Sequence, residues 1–169
     1  MNKERNALNV STADILIVGG GLVGAVAARA LSNSGLSVIV VDGQVSSLAR
    51  SAAFDGRASA VAAASKRLLT AIDIWPYLEK DVSPILDIRV ADGASPMFLH
   101  YDHEDVGVGP LGYLAENRHI RCAALSALEN DPNIIFLAPM RVEKLARETN
   151  LVTATLSDGS VVTASLAIA

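Results

Sequence analysis

The sequence has little of what several classes of protein require. Its 169 residues include one cysteine, Cys122, so neither an internal disulfide nor a cysteine-rich zinc site can form. Aromatic residues make up 4% of the chain, and 18 acidic residues against 14 basic ones give a formal net charge of −4. A nucleic acid or an anionic membrane would find no basic surface here. We therefore expect a cytoplasmic protein that does not bind nucleic acid.

Long apolar runs are also missing. No run approaches the roughly 18 residues that a membrane-spanning helix needs, and the charged start MNKER is not followed by the apolar segment of a signal peptide. Apolar residues nevertheless make up 51% of the chain, which is ample for one buried core. We expect residues 1–13 to be an N-terminal tail and residues 14–169 to form one domain.

The first third of the chain predicts a strand, a helix and a second strand. Residues 15–18, ILIV, are continuously apolar, as buried parallel strands are. An alanine-rich helix is expected over residues 22–34, with Gly35 as its C-terminal cap. The apolar run SVIVV, residues 37–41, then predicts the second buried strand of a βαβ unit.

The remainder predicts two more helices and several short strands. Residues 57–75 are expected to form a second helix stopped by Pro76, and residues 116–131 a third. Short extended runs flank Asp92-Gly93, and the apolar runs near the C-terminus predict strands, three of them in an antiparallel meander. The expected fold class is α/β: a Rossmann-like βαβ unit with a central parallel sheet and a three-stranded β-meander.

Three consecutive glycines separate the first strand from the first helix. Gly19 permits a tight turn, Gly21 lets backbone amides approach a pyrophosphate, and Gly24 allows the helix to pack closely on the strand. The helix N-terminus adds unpaired amides and a partial positive charge. Asp42 ends the second strand, where a carboxylate can accept hydrogen bonds from a ribose diol. The pattern predicts a dinucleotide site, but NAD and FAD both present ADP to such a loop.

Two further segments favour a flavin. FDGRASAVAAASKRLL (54–69) and GYLAENRHIRCAALSAL (112–128) resemble the D-x-R and E-N-x-x-[IL]-R motifs of flavin-dependent aromatic hydroxylases, more narrowly those of ubiquinone biosynthesis. The resemblance runs from Asp14 to the last residue. It implies bound FAD, NADH or NADPH as reductant, and O2. The implied substrate is a small phenolic or polyprenyl-phenol molecule whose ring is hydroxylated.

The resemblance also implies cofactor contacts for nine residues, which are Gly19, Gly21, Leu22, Val23, Gly24, Asp42, Arg57, Arg121 and Val142. The loop would wrap the FAD pyrophosphate, and Asp42 would bind the adenosine ribose. Arg57 would lie near the flavin, Arg121 would reach the pyrophosphate, and the Val142 backbone would meet the adenine. On the residues alone, Arg57 and Arg121 fit a solvated helix face equally well. No catalytic acid or base is expected within the chain.

The family continues beyond the point where this sequence stops, LAIA (166–169). We therefore expect the N-terminal part of a hydroxylase, lacking most of the substrate domain and inactive alone. The resemblance leaves room for peripheral association of the full-length protein with the inner face of the membrane or with a biosynthetic complex. Two alternatives remain open: another FAD-dependent oxidase of the same fold, such as an amine or amino-acid oxidase, and a non-catalytic nucleotide-binding or protein-binding module.

The segment HYDHED (100–105) has the residue types of a metal site. Successive side chains of an extended segment point to opposite faces, so His100 and His103 are not expected to share an ion. A solvated loop is the favoured interpretation, and no metal site is predicted.

Overall fold

The computed structural model describes residues 10–44, 56–93, 96–107 and 109–169. The helices are α1 (Leu22–Ser32), α2 (Ala63–Ala71), α3 (Trp75–Leu78), α4 (His103–Val106) and α5 (Asn117–Glu129), with a 3-10 turn at Glu79–Asp81. The strands are β1 (Val10–Val18), β2 (Val38–Val41), β3 (Ala58–Ala62), β4 (Val82–Ile85), β5 (Asp87–Ala91), β6 (Phe98–Asp102), β7 (Gly112–Glu116), β8 (Ile134–Leu137), β9 (Val142–Arg147), β10 (Val152–Leu156) and β11 (Val161–Ile168).

Six strands form the central sheet in the order β8-β2-β1-β11-β10-β9. The first four run parallel, and β11, β10 and β9 pair antiparallel as a meander. The predicted βαβ unit, parallel sheet and meander are therefore confirmed. Strand β2 is buried at all four positions, as a central parallel strand should be. Its carboxyl end and that of β1 lie at the same edge of the sheet, which is where the glycine loop begins.

Apolar clusters cover both faces of this sheet. Ile15 and Ile17 of β1 face the layer of helices and belong to the same buried cluster as Trp75 and the buried side of α5. Leu16 faces the other way and packs with residues of β10 and β11. Full burial of one such side chain contributes about 1.5–3 kcal/mol, so the two-sided burial of β1 holds the glycine loop on a rigid support.

A buried ion pair fixes the helical layer at the end remote from the glycine loop. Arg29 of α1 donates to Asp131, just after α5, at 2.6 Å and to Asp73 at 3.0 Å, and Ser32 also donates to Asp131. Burial opposes ionisation of Asp131, but the hydrogen bonds from Ser32 and the Asn133 amide and the charge of Arg29 outweigh it, so that the pKa of Asp131 lies below its usual value.

Two element boundaries differ from the sequence prediction. β1 begins at Val10, so residues 10–13, expected to be tail, pair with β11. The helix expected over residues 57–75 is instead the strand β3, the helix α2 and the short helix α3. Alanine-rich sequence suits a helix, but Ala58–Ala62 pair with β7, and this tertiary contact overrides the local preference. Pro76 lies within the first turn of α3, where proline is tolerated, rather than stopping a helix.

Two small antiparallel sheets complete the fold. β3, β7 and β4 form one sheet, in the order β3-β7-β4. β5 and β6, the two extended runs expected on either side of Asp92-Gly93, pair antiparallel, and most of their side chains are exposed. None of the helices in the described ranges is long and apolar enough to cross a lipid bilayer.

Candidate cofactor-binding site

The glycine loop follows β1 and is held by very close backbone contacts. Gly19 has φ +110°, a conformation that side-chain-bearing residues rarely adopt. A Cβ at Gly24 would lie 1.9 Å from the carbonyl oxygen of Gly19, so only glycine allows α1 to approach the loop this closely. A Cβ at Gly21, by contrast, would meet no atom of the described residues within 4 Å, its two chain neighbours aside. The loop therefore presents open space at Gly21, as a phosphate cradle must.

The middle glycine, Gly20, has a role that the sequence pattern did not assign. A Cβ there would lie 2.6 Å from two ring atoms of Phe136 on β8 and 3.2 Å from Cβ of Asp42. The Gly20 amide donates to the Asp42 carboxylate at 2.5 Å. No local signal identifies this glycine, because both of its neighbours arrive from other strands.

The N-terminus of α1 offers amides rather than side chains. Gly21 stands at the N-cap position, and no side chain caps the helix, so the first amides have no partner within the helix. The side chain of Val23 is 83% exposed, and those of Leu22 and Val23 both border an apolar groove on the helical layer. If these residues contact a pyrophosphate, they do so through their amides. The partial positive charge of the helix end favours such an anion.

Asp42 lies half-buried beside the loop, directly after β2. One carboxylate oxygen accepts from Gly20 and the other from the Gln44 amide at 2.6 Å. A carboxylate has about four acceptor positions, so two remain for the hydroxyls of a ribose. The structure thus gives Asp42 a structural role in shaping the loop, and its ribose contact remains a prediction.

A cavity of about 310 Å³ opens beside Asp42 at the carboxyl ends of the parallel strands. It is lined by Val18, Gly19, Val41, Gly43, Met140, Arg141 and Val142. The backbone of Asp42 binds the connection between β8 and β9 at two points, accepting from Met140 at 2.7 Å and donating to Leu137 at 3.0 Å. Val142 therefore lies in the cavity wall, and its contact with adenine remains a prediction.

The two predicted arginines belong to segments that the structure brings together. The Asn117 amide, at the start of α5, donates to the carbonyl oxygen of Arg57 at 3.0 Å, and Ser59 of β3 donates to the Asn117 side chain at 2.6 Å. Arg57 is exposed and Arg121 is half-buried one turn into α5. Phe54 and Asp55, the first two residues of the segment that contains the D-x-R motif, lie outside the described residues. The cofactor contacts of both arginines remain predictions.

Two larger cavities lie away from the strand ends. One of about 460 Å³ is bordered by Lys66 and Tyr113, whose side chains hydrogen-bond at 3.1 Å. The other, about 450 Å³, is the apolar groove between α1 and α2. Neither the glycine loop nor Asp42 contributes to the lining of the first cavity. The second cavity is bordered by Leu22 and Val23, which directly follow Gly21, so it begins beside the glycine loop and continues along α1.

In the histidine-containing hairpin, His100 contacts Asp87 at 2.7 Å, while Asp102 caps α4 through the Glu104 amide at 2.8 Å. Ligand atoms of Asp87, His100 and Asp102 lie within 4.8 Å of one another, although all three side chains are at least partly exposed. The sequence prediction compared His100 with His103 and did not consider Asp87, because only strand pairing brings it close.

Several curated proteins resemble this chain along most of its length. Ubiquinone hydroxylase UbiL of Rhodospirillum rubrum is 49% identical over 156 residues, which cover 92% of this chain and 36% of the relative. The 3-demethoxyubiquinol 3-hydroxylase of Escherichia coli is 29% identical, and the match covers 92% of this chain and 40% of the relative. Ubiquinone hydroxylase UbiM of Neisseria meningitidis is also 29% identical, with 92% and 35% covered. The chain thus spans little more than a third of the length of these relatives.

Solved structures agree on the fold. PqsL of Pseudomonas aeruginosa in complex with 2-aminobenzoylacetate superposes with a TM-score of 0.75 at 20% identity, covering 93% of this chain and 42% of that one. The p-nitrophenol 4-monooxygenase PnpA of Pseudomonas putida superposes with a TM-score of 0.72 at 18% identity, and the match covers 95% of this chain and 40% of that one. A family model described as FAD-dependent oxidoreductase matches residues 14–159. With the glycine loop, the aspartate after β2 and the meander all in place, this chain belongs to the FAD-dependent oxidoreductase family.

Proposed function

We propose that this chain binds FAD and forms the cofactor-binding part of a hydroxylase that acts on a phenolic ring in ubiquinone biosynthesis. The observation that carries the proposal is the open space at Gly21. It lies before an uncapped helix N-terminus, with the Asp42 carboxylate on one side and a cavity at the strand ends. Such an arrangement suits the ADP half of FAD, because backbone amides hold the pyrophosphate and a carboxylate holds the ribose.

Each group of residues would have a distinct task. The amides of Leu22, Val23 and Gly24 would bind the pyrophosphate, and the Val142 backbone would meet the adenine. Arg57 and Arg121 would add positive charge toward the flavin side of the site. The flavin, when bound, supplies the redox chemistry, with NADH or NADPH as the proposed reductant and O2 as the source of the new oxygen.

The choice of reaction is supported by the relatives. Three curated relatives with 29–49% identity are named as ubiquinone or demethoxyubiquinol hydroxylases. This favours hydroxylation over the amine or amino-acid oxidation considered as an alternative. We propose that the protein is cytoplasmic and meets its polyprenylated substrate at the inner face of the membrane.

The binding part of the proposal can be tested on this chain with FAD and ADP titrations. Removing the ribose acceptor in Asp42→Ala should weaken FAD binding by about 1.5–3 kcal/mol, the range for hydrogen bonds to charged groups. Asp158→Ala is the matched control, because Asp158 also accepts a backbone amide after a strand but lies in the exposed turn between β10 and β11. If the unchanged chain binds neither FAD nor ADP, or if both variants bind FAD equally, the assigned site is wrong.

The reaction is tested on a protein that includes the segments present in the relatives. That protein should be yellow when purified, oxidise NADH or NADPH, and add one oxygen to a polyprenyl phenol. Flavin reduction by an amine or amino acid, with no dependence on NADH or NADPH, would instead identify an oxidase.

A further inference from the structure

Arg141 has a position in the nucleotide cavity that neither the glycine fingerprint nor the motif resemblance assigns. Its side chain borders the cavity together with Gly43, Met140 and Val142. A Cβ added at Gly43 would lie 3.3 Å from Nε of Arg141 and 3.5 Å from its Cγ. The stem of the arginine therefore lies across the bare backbone of Gly43, at the carboxyl end of β2.

The backbone of Arg141 is held from two sides. Its amide donates to the Ser157 hydroxyl at 3.2 Å, and its carbonyl oxygen accepts from the Ser157 amide at 2.9 Å. The preceding residue, Met140, donates to the Asp42 backbone. These bonds connect the residue to the β10–β11 turn and to the end of β2, so the direction from which the side chain enters the cavity is set by the sheet.

The guanidinium of Arg141 is exposed and forms no ion pair with any residue in the described ranges. The other side chains that border the cavity are aliphatic or methionine: Val18, Val41, Met140 and Val142. A planar cation at the edge of this apolar cavity can bind an aromatic ring, because guanidinium groups stack on aromatic faces.

We propose that Arg141 is a specificity-determining residue that lays its guanidinium against the adenine ring of FAD. This inference rests on the proposed function, since it names the group that fills the far end of the same site. The apolar walls would enclose the edges of the ring, and Arg141 would cover one face. Arg141 acts on the adenosine part of the ligand and does not contact the pyrophosphate.

The test compares ADP with inorganic pyrophosphate by titration calorimetry on the 169-residue chain. Pyrophosphate occupies the glycine loop but has no adenosine. Arg141→Ala should weaken ADP binding about two- to thirty-fold, the range for cation–π contacts from exposed to desolvated sites, and leave pyrophosphate binding unchanged. Arg141→Lys keeps the charge but loses the planar group, and should weaken ADP binding in the same direction.

Arg147→Ala is the matched control, because it removes the same charge at the far, exposed end of β9. It should change neither affinity. Equal weakening of ADP and pyrophosphate in Arg141→Ala would mean that the arginine acts through charge on the phosphates, and would overturn the proposal. Unchanged ADP binding would overturn it too, while leaving the proposed function standing. If the unchanged chain bound no ADP, the proposed function and this inference would both fail.

Discussion

Two glycines of the loop should separate cofactor binding from folding. Gly21→Val places its Cβ where no atom of the described residues lies within 4 Å, its chain neighbours aside, and the backbone there has φ −68°, which any residue adopts. Valine is a poorer N-cap than glycine, so we expect a loss of at most about 1 kcal/mol in the free energy of unfolding. The side chain would, however, fill the place of the pyrophosphate. FAD and ADP binding should therefore be lost while the fold remains.

Gly24→Ala should instead destabilise the fold itself. Its Cβ would lie 1.9 Å from the Gly19 carbonyl oxygen, whereas an ordinary contact is at least 3.4 Å, so α1 must move away from the loop by more than about 1 Å. The opposing atom is backbone and cannot rotate aside. Overpacking of this kind costs about 1–3 kcal/mol, and we expect the upper part of that range because α1 also packs on the buried core.

Urea unfolding followed by circular dichroism measures the stability of both variants, and calorimetry measures their affinity for ADP. The unchanged chain accompanies them as the reference. The reasoning is refuted if Gly21→Val binds ADP within a factor of two of the unchanged chain. It is equally refuted if Gly24→Ala unfolds at the same urea concentration as Gly21→Val.

Three further predictions concern stability and activity. Arg29→Ala should cost about 3 kcal/mol of unfolding free energy, because it leaves Asp131 buried without its cation, whereas Asp73→Asn should cost about 1 kcal/mol or less, since that partner is 70% exposed. Equal losses in the two variants, measured by urea unfolding, would contradict this assignment. Asp131 has a lowered pKa in the folded state. Its contribution to the free energy of unfolding should therefore be full above about pH 5 and disappear as the pH falls through that lowered pKa. The stability difference between the unchanged chain and Asp131→Asn should therefore shrink on acidification, and a difference independent of pH from 6 to about 2 would refute it. Finally, the 169-residue chain supplied with FAD, NADH or NADPH and a phenolic precursor should yield no hydroxylated ring by mass spectrometry, and stoichiometric product would mean that the catalytic site lies within these residues.

Much of the nucleotide site follows from residues that are close in sequence. The run ILIV, the glycine loop and the helix after it form one continuous signal, since strand, turn and helix periodicity are read over a few residues each. Gly19 and Gly24 have the backbone geometry that the fingerprint predicts. Asp42 follows β2 as expected, although its bond to Gly20 was not foreseen.

Residues distant in sequence were harder to assign. Ala58–Ala62 is alanine-rich and locally favours a helix, and only its pairing with β7 makes it a strand. Asp87 joins His100 only because β5 and β6 pair in register. Such contacts depend on which strand edge is available, and no periodicity within a short window contains that information.

What the sequence by itself determined was the first βαβ unit, the meander and the glycine loop, because each depends on local backbone preference and on the spacing of apolar residues. What only the tertiary structure decided was the far wall of the site. Phe136 of β8 reaches Gly20, and Arg141, just after β8, crosses Gly43, both from about a hundred residues further along the chain. The physical reason is that parallel pairing of β8 with β2 places this connection beside the end of β2, and that pairing is a property of the whole sheet.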